Sequence, residues 1–305
     1  MTTYFSRPTT ANAALFLALT MLFWAGNHVV GRWMGAHMPP VTLACLRWIG
    51  ATALLAPFAW RYVRNDWDAV RARLPFLILL GVLGVGLFNT LQYIALVHTT
   101  ATSSAVLNSS IPILIVVMGF FVLGTRVRGV QVLGIAVSLL GVLTVIGKGD
   151  PRALMALQLN KGDMYMLAAM VLWALYTVLL QRRPKIHFLS FALVTYFVAA
   201  VLNMPLAVGE LAMGGTFDAT PGMIAAIAYI VVFPSLIANL LFNRGVEIIG
   251  AARAGVFLHL VPMFTAALAM LFLDEQPALY HAAGFALILA GVWLGSRQQA
   301  TETDA

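Results

Sequence analysis

Long apolar runs separated by short polar stretches are the feature that most limits what this chain can fold into. About twenty apolar residues in an α-helix cross the hydrocarbon core of a bilayer. Runs of about that length cover Ala13–Trp33, Val41–Trp60, Phe76–Val97, Ala101–Leu123, Val130–Ile146, Met164–Leu180, Phe188–Val208, Met223–Phe242, Ala251–Leu273 and Tyr280–Leu294. The pattern predicts an all-α integral membrane protein with ten transmembrane helices.

The composition excludes a soluble protein. Charged residues make up 10% of the 305 residues, whereas a soluble domain carries about 25%. The net charge of +7 comes from basic residues in short loops, which membrane topology explains better than nucleic-acid binding. Because Cys45 is the only cysteine, a disulfide framework and a cysteine-based metal site are excluded. We expect neither a metal nor a cofactor.

The distribution of lysine and arginine predicts the orientation of the helices. If the N-terminus is cytoplasmic, thirteen basic residues fall on the cytoplasmic side and four on the other. The thirteen are Arg7, Arg61, Arg64, Arg71, Arg73, Arg126, Arg128, Arg182, Arg183, Lys185, Arg244, Arg253 and Arg297, and the four are Arg32, Lys148, Arg152 and Lys161. The positive-inside rule therefore predicts that both termini are cytoplasmic.

Landmark residues recur at a nearly constant spacing, which indicates an internal repeat. The matching pairs, 148 to 150 residues apart, are Trp24 and Trp173, Pro57 and Pro205, Ala101 and Ala251, Pro112 and Pro262, Gly134 and Gly284, and Gly141 and Gly291. The alternative is that residues common in membrane helices match by chance. The pairs occur in the same order in both halves, which argues against this alternative. Two copies among ten predicted helices give five helices in each copy. Because five is odd, the second copy enters the membrane from the opposite side. The halves are then inverted repeats, the architecture of secondary transporters, which hold substrate near the midplane between the halves.

The repeat predicts the domain organisation. Residues 1–147 form the first five-helix repeat, 148–163 a periplasmic linker, 164–296 the second repeat and 297–305 a cytoplasmic tail.

Several of these segments resemble the drug/metabolite transporter superfamily, specifically its ten-helix EamA-type members. The similar segments are Phe23-Trp24-Ala25-Gly26-Asn27, Arg47, the small residues before Pro262, the Leu273-Asp274-Glu275-Gln276-Pro277 turn and the final helix from Gly284 to Gly291. At the end of the fourth helix the chain departs from the family pattern, because Gly124-Thr125 stands where members often carry an acidic residue. The chain is most similar to the aromatic amino-acid exporter branch, which implies a multi-pass protein of the bacterial inner membrane that moves amino acids out of the cell.

Charged residues at bilayer depth are functional candidates because they are costly there. Arg47 lies inside the second predicted helix, where it can pair with a substrate carboxylate. Alternatively it extends to the outer interface or bonds backbone carbonyls of a neighbouring helix. Aspartate and glutamate are missing from the middle of every predicted span, so we favour a facilitator over a proton-coupled carrier, with histidine-based coupling as the alternative.

Two tryptophans related by the repeat, Trp24 and Trp173, are predicted near the midplane. They can face one another as walls of a central cavity, with Tyr176 three residues after Trp173 adding a hydroxyl; packing between helices is the alternative. The remaining tryptophans are predicted to belong to the interfacial belts, and they are Trp33, Trp48, Trp60, Trp67 and Trp293.

Polar side chains within the apolar runs complete the set of candidate substrate-binding residues. Asn27, His28, Tyr93, Asn108 and His259 should point into the helix bundle. A histidine here can bind substrate or titrate near neutral pH, or it can simply be satisfied by a neighbouring group. Some of the polar side chains must join helices to each other.

Pro112 and Pro262 are predicted in the interior of the fourth and ninth helices, where each would kink the chain. Their equivalent positions make them hinge candidates for alternating access, and a static kink is the alternative.

The chain is not expected to be an enzyme. Gly147-Lys148-Gly149-Asp150 matches the GxGD of intramembrane proteases, but it lies in a loop and lacks a second intramembrane aspartate. We expect a monomeric secondary transporter that exports a broad range of amino acids, including aromatic and other neutral ones. The alternative is an exporter of other small metabolites or drugs, such as purines or cationic drugs, with histidine as the residue that would couple transport to protons.

Overall fold

The computed structural model describes residues 10–124, 129–150, 152, 160–249 and 257–296, and the regular elements in these ranges are helical. The first half contains α1 (Thr10–Met34), α2 (Pro40–Asn65), α3 (Trp67–Ala72), α4 (Leu74–Leu80), α5 (Phe88–His98), α6 (Ala101–Asn108), α7 (Ile111–Leu123) and α8 (Gly129–Ile146). The second half contains α9 (Lys161–Leu180), α10 (Phe188–Ala212), α11 (Pro221–Val232), α12 (Ala238–Ile249), α13 (Leu260–Phe272) and α14 (Leu279–Ser296). Two π-helical stretches, Gly81–Leu87 and Phe233–Ile237, join α4 to α5 and α11 to α12.

Within the described ranges, seven helices are long and apolar enough to cross a membrane. An eighth span results if α6 and α7, which are bent by 45° relative to each other, are counted together. Two further apolar helices, α13 and α14, are shorter. The prediction of an all-helical membrane protein is confirmed, whereas ten spans and cytoplasmic termini stay predictions.

Some residues used in the sequence analysis lie outside the described ranges. They are Arg7, Thr125, Arg126, Arg128, Ala251, Arg253, Arg297, most of the linker and the tail 297–305.

The prediction that Pro112 and Pro262 lie in helix interiors is wrong. Pro112 is the second residue of α7, and Pro262 is the third residue of α13. Each follows a break, formed by a turn at Ser109-Ser110 in the first half and at Leu258-His259 in the second. The first amide groups of a helix have no partner within it, so proline is tolerated there without loss of a hydrogen bond. A turn therefore lies before each proline, and the hinge role stays a prediction.

The third span of each half contains a π-helical stretch at the equivalent position. The two stretches end at Leu87 and Ile237, which are 150 residues apart. In the first half the stretch is glycine-rich and allows close packing, because a Cβ on Gly84 would lie 2.4 Å from the Tyr176 ring. Irregular turns of this kind are frequent at functional sites.

The two halves pack against each other in reciprocal pairs. Equivalent helices meet directly, since α2 packs along α10 and α8 along α14. In addition, α1 packs against α12 and α13, while its counterpart α9 packs against α5 and α7. This is the contact pattern that a two-fold relation between the halves produces.

Glycines bring α8 and α14 into close contact. A Cβ on Gly141 would lie 2.7 Å from the carbonyl oxygen of Gly284, and a Cβ on Gly291 would lie 2.5 Å from that of Gly134. Only hydrogen atoms fit between the two backbones at these positions.

Three carboxylates cap helix N-termini across the boundary between the halves. Glu210 accepts from the Thr42 amide at 2.7 Å and the Thr42 hydroxyl at 2.8 Å. Glu275 accepts from the Thr102 amide at 3.2 Å and the Thr102 hydroxyl at 3.0 Å. Asp66, after the end of α2, caps the start of α10 in the same way. Negative charge is stabilised at a helix N-terminus, so these acids hold the halves together at their ends.

Candidate functional site

A buried polar cluster surrounds Arg47, which is 5% exposed. Its Nε donates to Ser235 Oγ at 2.8 Å. Its Nη1 lies 3.2 Å from Asn27 Oδ1, 2.9 Å from Asn89 Oδ1 and 2.8 Å from the Tyr93 hydroxyl. The Tyr93 hydroxyl in turn donates to Asn27 Oδ1 at 2.8 Å. Arg47 therefore neither extends to the interface nor bonds backbone carbonyls; four neutral side chains hold it.

The position of Ser235 follows from Pro234. Because proline has no amide hydrogen, the carbonyl of Ile230, four residues earlier, lacks its α-helical donor. The Ser235 hydroxyl donates to that carbonyl at 2.8 Å, which leaves the lone pairs of Oγ free to accept from Arg47. The second π stretch thus presents a hydrogen-bond acceptor to the first half of the chain.

Trp48 forms the apolar side of this cluster. The Arg47 guanidinium lies 4.6 Å from the centroid of the Trp48 ring, a cation–π contact. The Trp48 ring also packs against Tyr196, with 4.9 Å between the two ring centroids. Trp48 is 3% exposed, so its assignment to an interfacial belt is wrong. Trp60 and Trp293, at 60% and 53% exposure, have the exposure expected of belt residues.

The charge of Arg47 has no negative partner among the described side chains. Its hydrogen bonds go to neutral groups, and the carboxylates of Asp66, Glu210 and Glu275 are used at helix ends. The second terminal nitrogen, Nη2, has no hydrogen-bond partner in the described ranges, and it is not among the enclosed, unpartnered atoms. Arg47 therefore offers one open donor group and one uncompensated positive charge.

His28 belongs to a neighbouring, separate cluster. Its Nδ1 lies 3.1 Å from Ser104 Oγ, and its Nε2 lies 3.2 Å from Gln92 Nε2. The Ser104 hydroxyl donates to the sulfur of Met166 at 3.3 Å. A neutral imidazole that carries its proton on Nδ1 satisfies all of these contacts. In this structure His28 is held by neighbouring side chains, which is one of the alternatives left open by the sequence.

The two repeat-related tryptophans each contact the other half of the chain. Trp24 donates from Nε1 to the carbonyl of Pro234 at 3.3 Å, and its ring lies 5.4 Å from that of Phe242. Trp173 lies 4.7 Å from Phe88 and 5.2 Å from Tyr176 between ring centroids. The two indoles belong to different apolar clusters, so each lines its own part of the interface between the halves.

Asn108 and His259 lie at the breaks that precede α7 and α13. Asn108 Oδ1 and His259 Nδ1 are both enclosed and have no hydrogen-bond partner among the described residues. In the described part of the chain, His, Cys, Asp and Glu form no group of three or more that could hold a metal ion.

The structure thus brings together Asn27, Arg47 and Tyr93. The remaining candidates lie in the neighbouring polar cluster (His28), in two other apolar clusters (Trp24; Trp173 and Tyr176) or at the helix breaks (Asn108 and His259). Sequence reasoning missed Ser235, Asn239 and Tyr196. Asn239 donates from Nδ2 to the Tyr196 hydroxyl at 2.8 Å and to the Ser235 carbonyl at 2.7 Å. A signal for Asn239 was present, because it stands 150 residues after Asn89, the same spacing as the proline and glycine pairs.

Comparison with known proteins agrees with this architecture. Residues 11–147 and 160–297 each match the EamA-like transporter family. A solved crystal structure superimposes with a TM-score of 0.59 at 17% sequence identity, covering 97% of this chain and 99% of its own. A likeness at that identity shows the fold alone.

Relatives in other organisms are transporters by name. An uncharacterized transporter of Archaeoglobus fulgidus is 29% identical over 292 residues, which are 93% of this chain and 97% of that protein. The uncharacterized transporter YyaM of Bacillus subtilis is 29% identical and covers 72% of each chain. A probable terminal-alkyne amino-acid exporter of Streptantibioticus cattleyicolor is 27% identical over 75% of each chain.

Proposed function

Because this chain belongs to the EamA-like transporter family, we propose that it is a secondary transporter that exports amino acids across the bacterial inner membrane. Its substrates are a broad range of amino acids, including aromatic and other neutral ones. It works as a monomer with ten spans, both termini in the cytoplasm and the domain boundaries predicted above.

The observation that carries this proposal is the lone buried charge of Arg47. A charged group away from water is costly unless it is paired, and the described partners of Arg47 are all neutral. A substrate carboxylate bound at Nη2 offsets that cost, since guanidinium and carboxylate form short, charge-assisted hydrogen bonds. The site is therefore suited to an anionic group and unsuited to a simple cation.

A related protein supports the same substrate class. The Streptantibioticus cattleyicolor relative is named a probable terminal-alkyne amino-acid exporter. The aromatic rings on the apolar side of the Arg47 cluster, Trp48 and Tyr196, suit the apolar side chains of neutral amino acids.

The reciprocal packing of the halves supports alternating access. In the first half α6 and α7 form a bent pair, and in both halves a turn precedes the helix that carries the proline, α7 or α13. Bending at these turns, or rocking of one half against the other, opens each side of the Arg47 cluster in turn. We favour facilitative transport, because the hydrogen bonds of Arg47 go to neutral side chains and none of the described carboxylates bonds it.

Uptake into proteoliposomes tests the proposal. The purified full-length chain is reconstituted and offered labelled phenylalanine, leucine, adenine and a cationic drug, each with and without a pH gradient. We expect saturable uptake and counterflow of the amino acids, with a rate that does not depend on the gradient. Uptake confined to adenine or the drug contradicts the amino-acid assignment, and strict dependence on the gradient favours coupling through His28 or His259.

A further inference from the structure

Two asparagines occupy equivalent positions after the π-helical stretches. Asn89 and Asn239 are 150 residues apart, and each stands two residues beyond the end of its stretch. Asn89 Nδ2 donates to the carbonyl of Val85 at 2.9 Å, and Asn239 Nδ2 donates to that of Ser235 at 2.7 Å. In both halves the amide thus bonds the carbonyl four residues earlier, which fixes the side chain against its own helix.

The two asparagines differ in what their side-chain oxygen accepts. Asn89 Oδ1 accepts from Arg47 Nη1 at 2.9 Å. No donor in the described ranges reaches Asn239 Oδ1, because both of its contacts are made by Nδ2. The side chain is half-buried, and Oδ1 is not among the enclosed, unpartnered atoms. Asn239 therefore presents an open hydrogen-bond acceptor inside the bundle.

Neighbouring groups fix which end of the Asn239 amide is open. The carbonyl oxygen of Ser235 can only accept, so it must face the amide nitrogen. The Tyr196 hydroxyl donates to the same carbonyl at 2.7 Å and accepts the second amide hydrogen at 2.8 Å. With both hydrogens used, the oxygen points away from this network.

Asn239 lies close to the charge of Arg47. Arg47 Nε bonds Ser235 Oγ, and Ser235 stands one helical turn before Asn239, with Cβ atoms about 6 Å apart. The Tyr196 hydroxyl bonds Asn239, and the Tyr196 ring packs on Trp48 beneath the guanidinium. The open acceptor thus belongs to a residue one turn after Ser235, the residue that bonds the charged guanidinium.

We propose that Asn239 Oδ1 binds the ammonium group of a substrate whose carboxylate is bound by Arg47. The substrate class is then the zwitterionic α-amino acid, and neither simple carboxylates nor simple amines are good ligands. This assignment rests on the proposed amino-acid transport. The neutrality of the acceptor is part of the argument, because a negative charge at this position would repel the substrate carboxylate that Arg47 binds.

Binding of three related ligands to the full-length protein in nanodiscs tests the assignment. Phenylalanine carries both groups, 3-phenylpropionate lacks the ammonium group and phenethylamine lacks the carboxylate. We expect the wild-type protein to bind phenylalanine at least about tenfold more tightly than the other two, the effect of one hydrogen bond to a charged group. Asn239→Leu should weaken phenylalanine binding by about tenfold and leave 3-phenylpropionate binding unchanged.

Asn203→Leu is the matched control. Asn203 lies on α10, and both ends of its amide are satisfied, by Thr90 at 2.6 Å and by the Ala199 carbonyl at 2.9 Å. Any change in this variant should be the same for phenylalanine and 3-phenylpropionate, because Asn203 touches neither Arg47 nor Asn239.

A second variant keeps the test decisive if Asn239→Leu does not fold. Asn239→Asp has the same shape and adds a negative charge, so phenethylamine binding should improve by about tenfold while 3-phenylpropionate binding weakens. Equal effects of either variant on all three ligands overturn the role of Asn239 and leave amino-acid transport standing. A wild-type protein that neither binds nor transports amino acids removes the proposed function itself.

Discussion

The two halves of this protein share a framework and differ at its centre. The second helix of each half illustrates this, because Thr195 of α10 stands 148 residues after Arg47 of α2, the spacing that also separates Pro57 from Pro205. The Thr195 hydroxyl bonds the carbonyl of Phe191, within its own helix, at 2.9 Å. One half thus supplies the buried charge, and the other supplies a side chain whose hydroxyl bonds carbonyls of its own helix.

The difference separates residues that build the bundle from residues that carry its chemistry. Residues that allow close backbone packing or bond a backbone carbonyl are the same in both halves, such as the glycines between α8 and α14 and the asparagines after the π stretches. The position of Arg47 has diverged, since Thr195 occupies it in the second half. Two opposed arginines would repel each other at the midplane, whereas one arginine with one open acceptor suits a ligand that carries both charges.

Removal of the charge should give the largest effect. Arg47→Met keeps the length of the side chain and abolishes its charge, so binding of phenylalanine and of 3-phenylpropionate should both weaken by about a hundredfold or more. The basis is a loss of about 3 kcal/mol for a buried charged partner. Ligand binding in nanodiscs and counterflow in proteoliposomes measure this.

The same variant should keep its thermal stability, which distinguishes a binding role from a structural one. Without Arg47, Asn27 Oδ1 still accepts from Tyr93, and the Ser235 hydroxyl still donates to Ile230. An apolar replacement also removes the cost of burying a lone charge. Thr195→Val is the matched control from the other half and should change neither binding nor unfolding temperature. A large drop in the unfolding temperature of Arg47→Met, with binding of the remaining folded protein intact, contradicts the site.

The two asparagines should respond differently to the same substitution. Asn89→Leu removes an acceptor that positions Arg47, so phenylalanine and 3-phenylpropionate should both bind about tenfold more weakly. Asn239→Leu, as argued above, should affect phenylalanine alone. Titration of the two variants with both ligands compares the halves directly, and an identical pattern in both variants shows that the asparagines have the same role.

The helical fold could be predicted largely because the length of an apolar run and the spacing of a repeat can be read directly from the sequence. The apolar runs predict the helices, and the glycine pairs belong to the landmarks that predict the repeat. The error at Pro112 and Pro262 has a physical cause. A proline in an apolar run is compatible with a kinked helix or with the first turn of a new one, and only the backbone of the preceding turn decides between them.

The site was less predictable because its contacts join distant parts of the chain. Arg47 could be singled out by its charge, but its partner Ser235 is 188 residues away and depends on the carbonyl freed by Pro234. The sequence predicts an interfacial belt position for Trp48 because this residue lies near the end of a predicted helix. Whether a side chain at that depth faces lipid or the other half depends on helix rotation, which α10 and Tyr196 determine here.

The smallest predicted effect comes from the residue that orients Asn239. Tyr196→Phe keeps the ring that packs on Trp48 and removes the hydroxyl that accepts from Asn239 Nδ2. One neutral hydrogen bond contributes about 1 kcal/mol, so phenylalanine should bind about fivefold more weakly. Binding of 3-phenylpropionate should not change, because the Tyr196 hydroxyl bonds the backbone carbonyl of Ser235 and not the side-chain oxygen that accepts from Arg47.

Tyr229→Phe provides the control for this last comparison. The Tyr229 hydroxyl bonds the carbonyl of Phe23 at 3.3 Å and is not bonded to Arg47 or Asn239, so its loss should leave the preference between the two ligands as in the wild type. If Tyr196→Phe weakens both ligands equally, the hydroxyl acts on the guanidinium side of the cluster. Tyr196, on the neighbouring helix, is the side chain that bonds the Asn239 amide. A different ligand response of the Asn89 and Asn239 variants would then have to arise from another contact of the second π stretch.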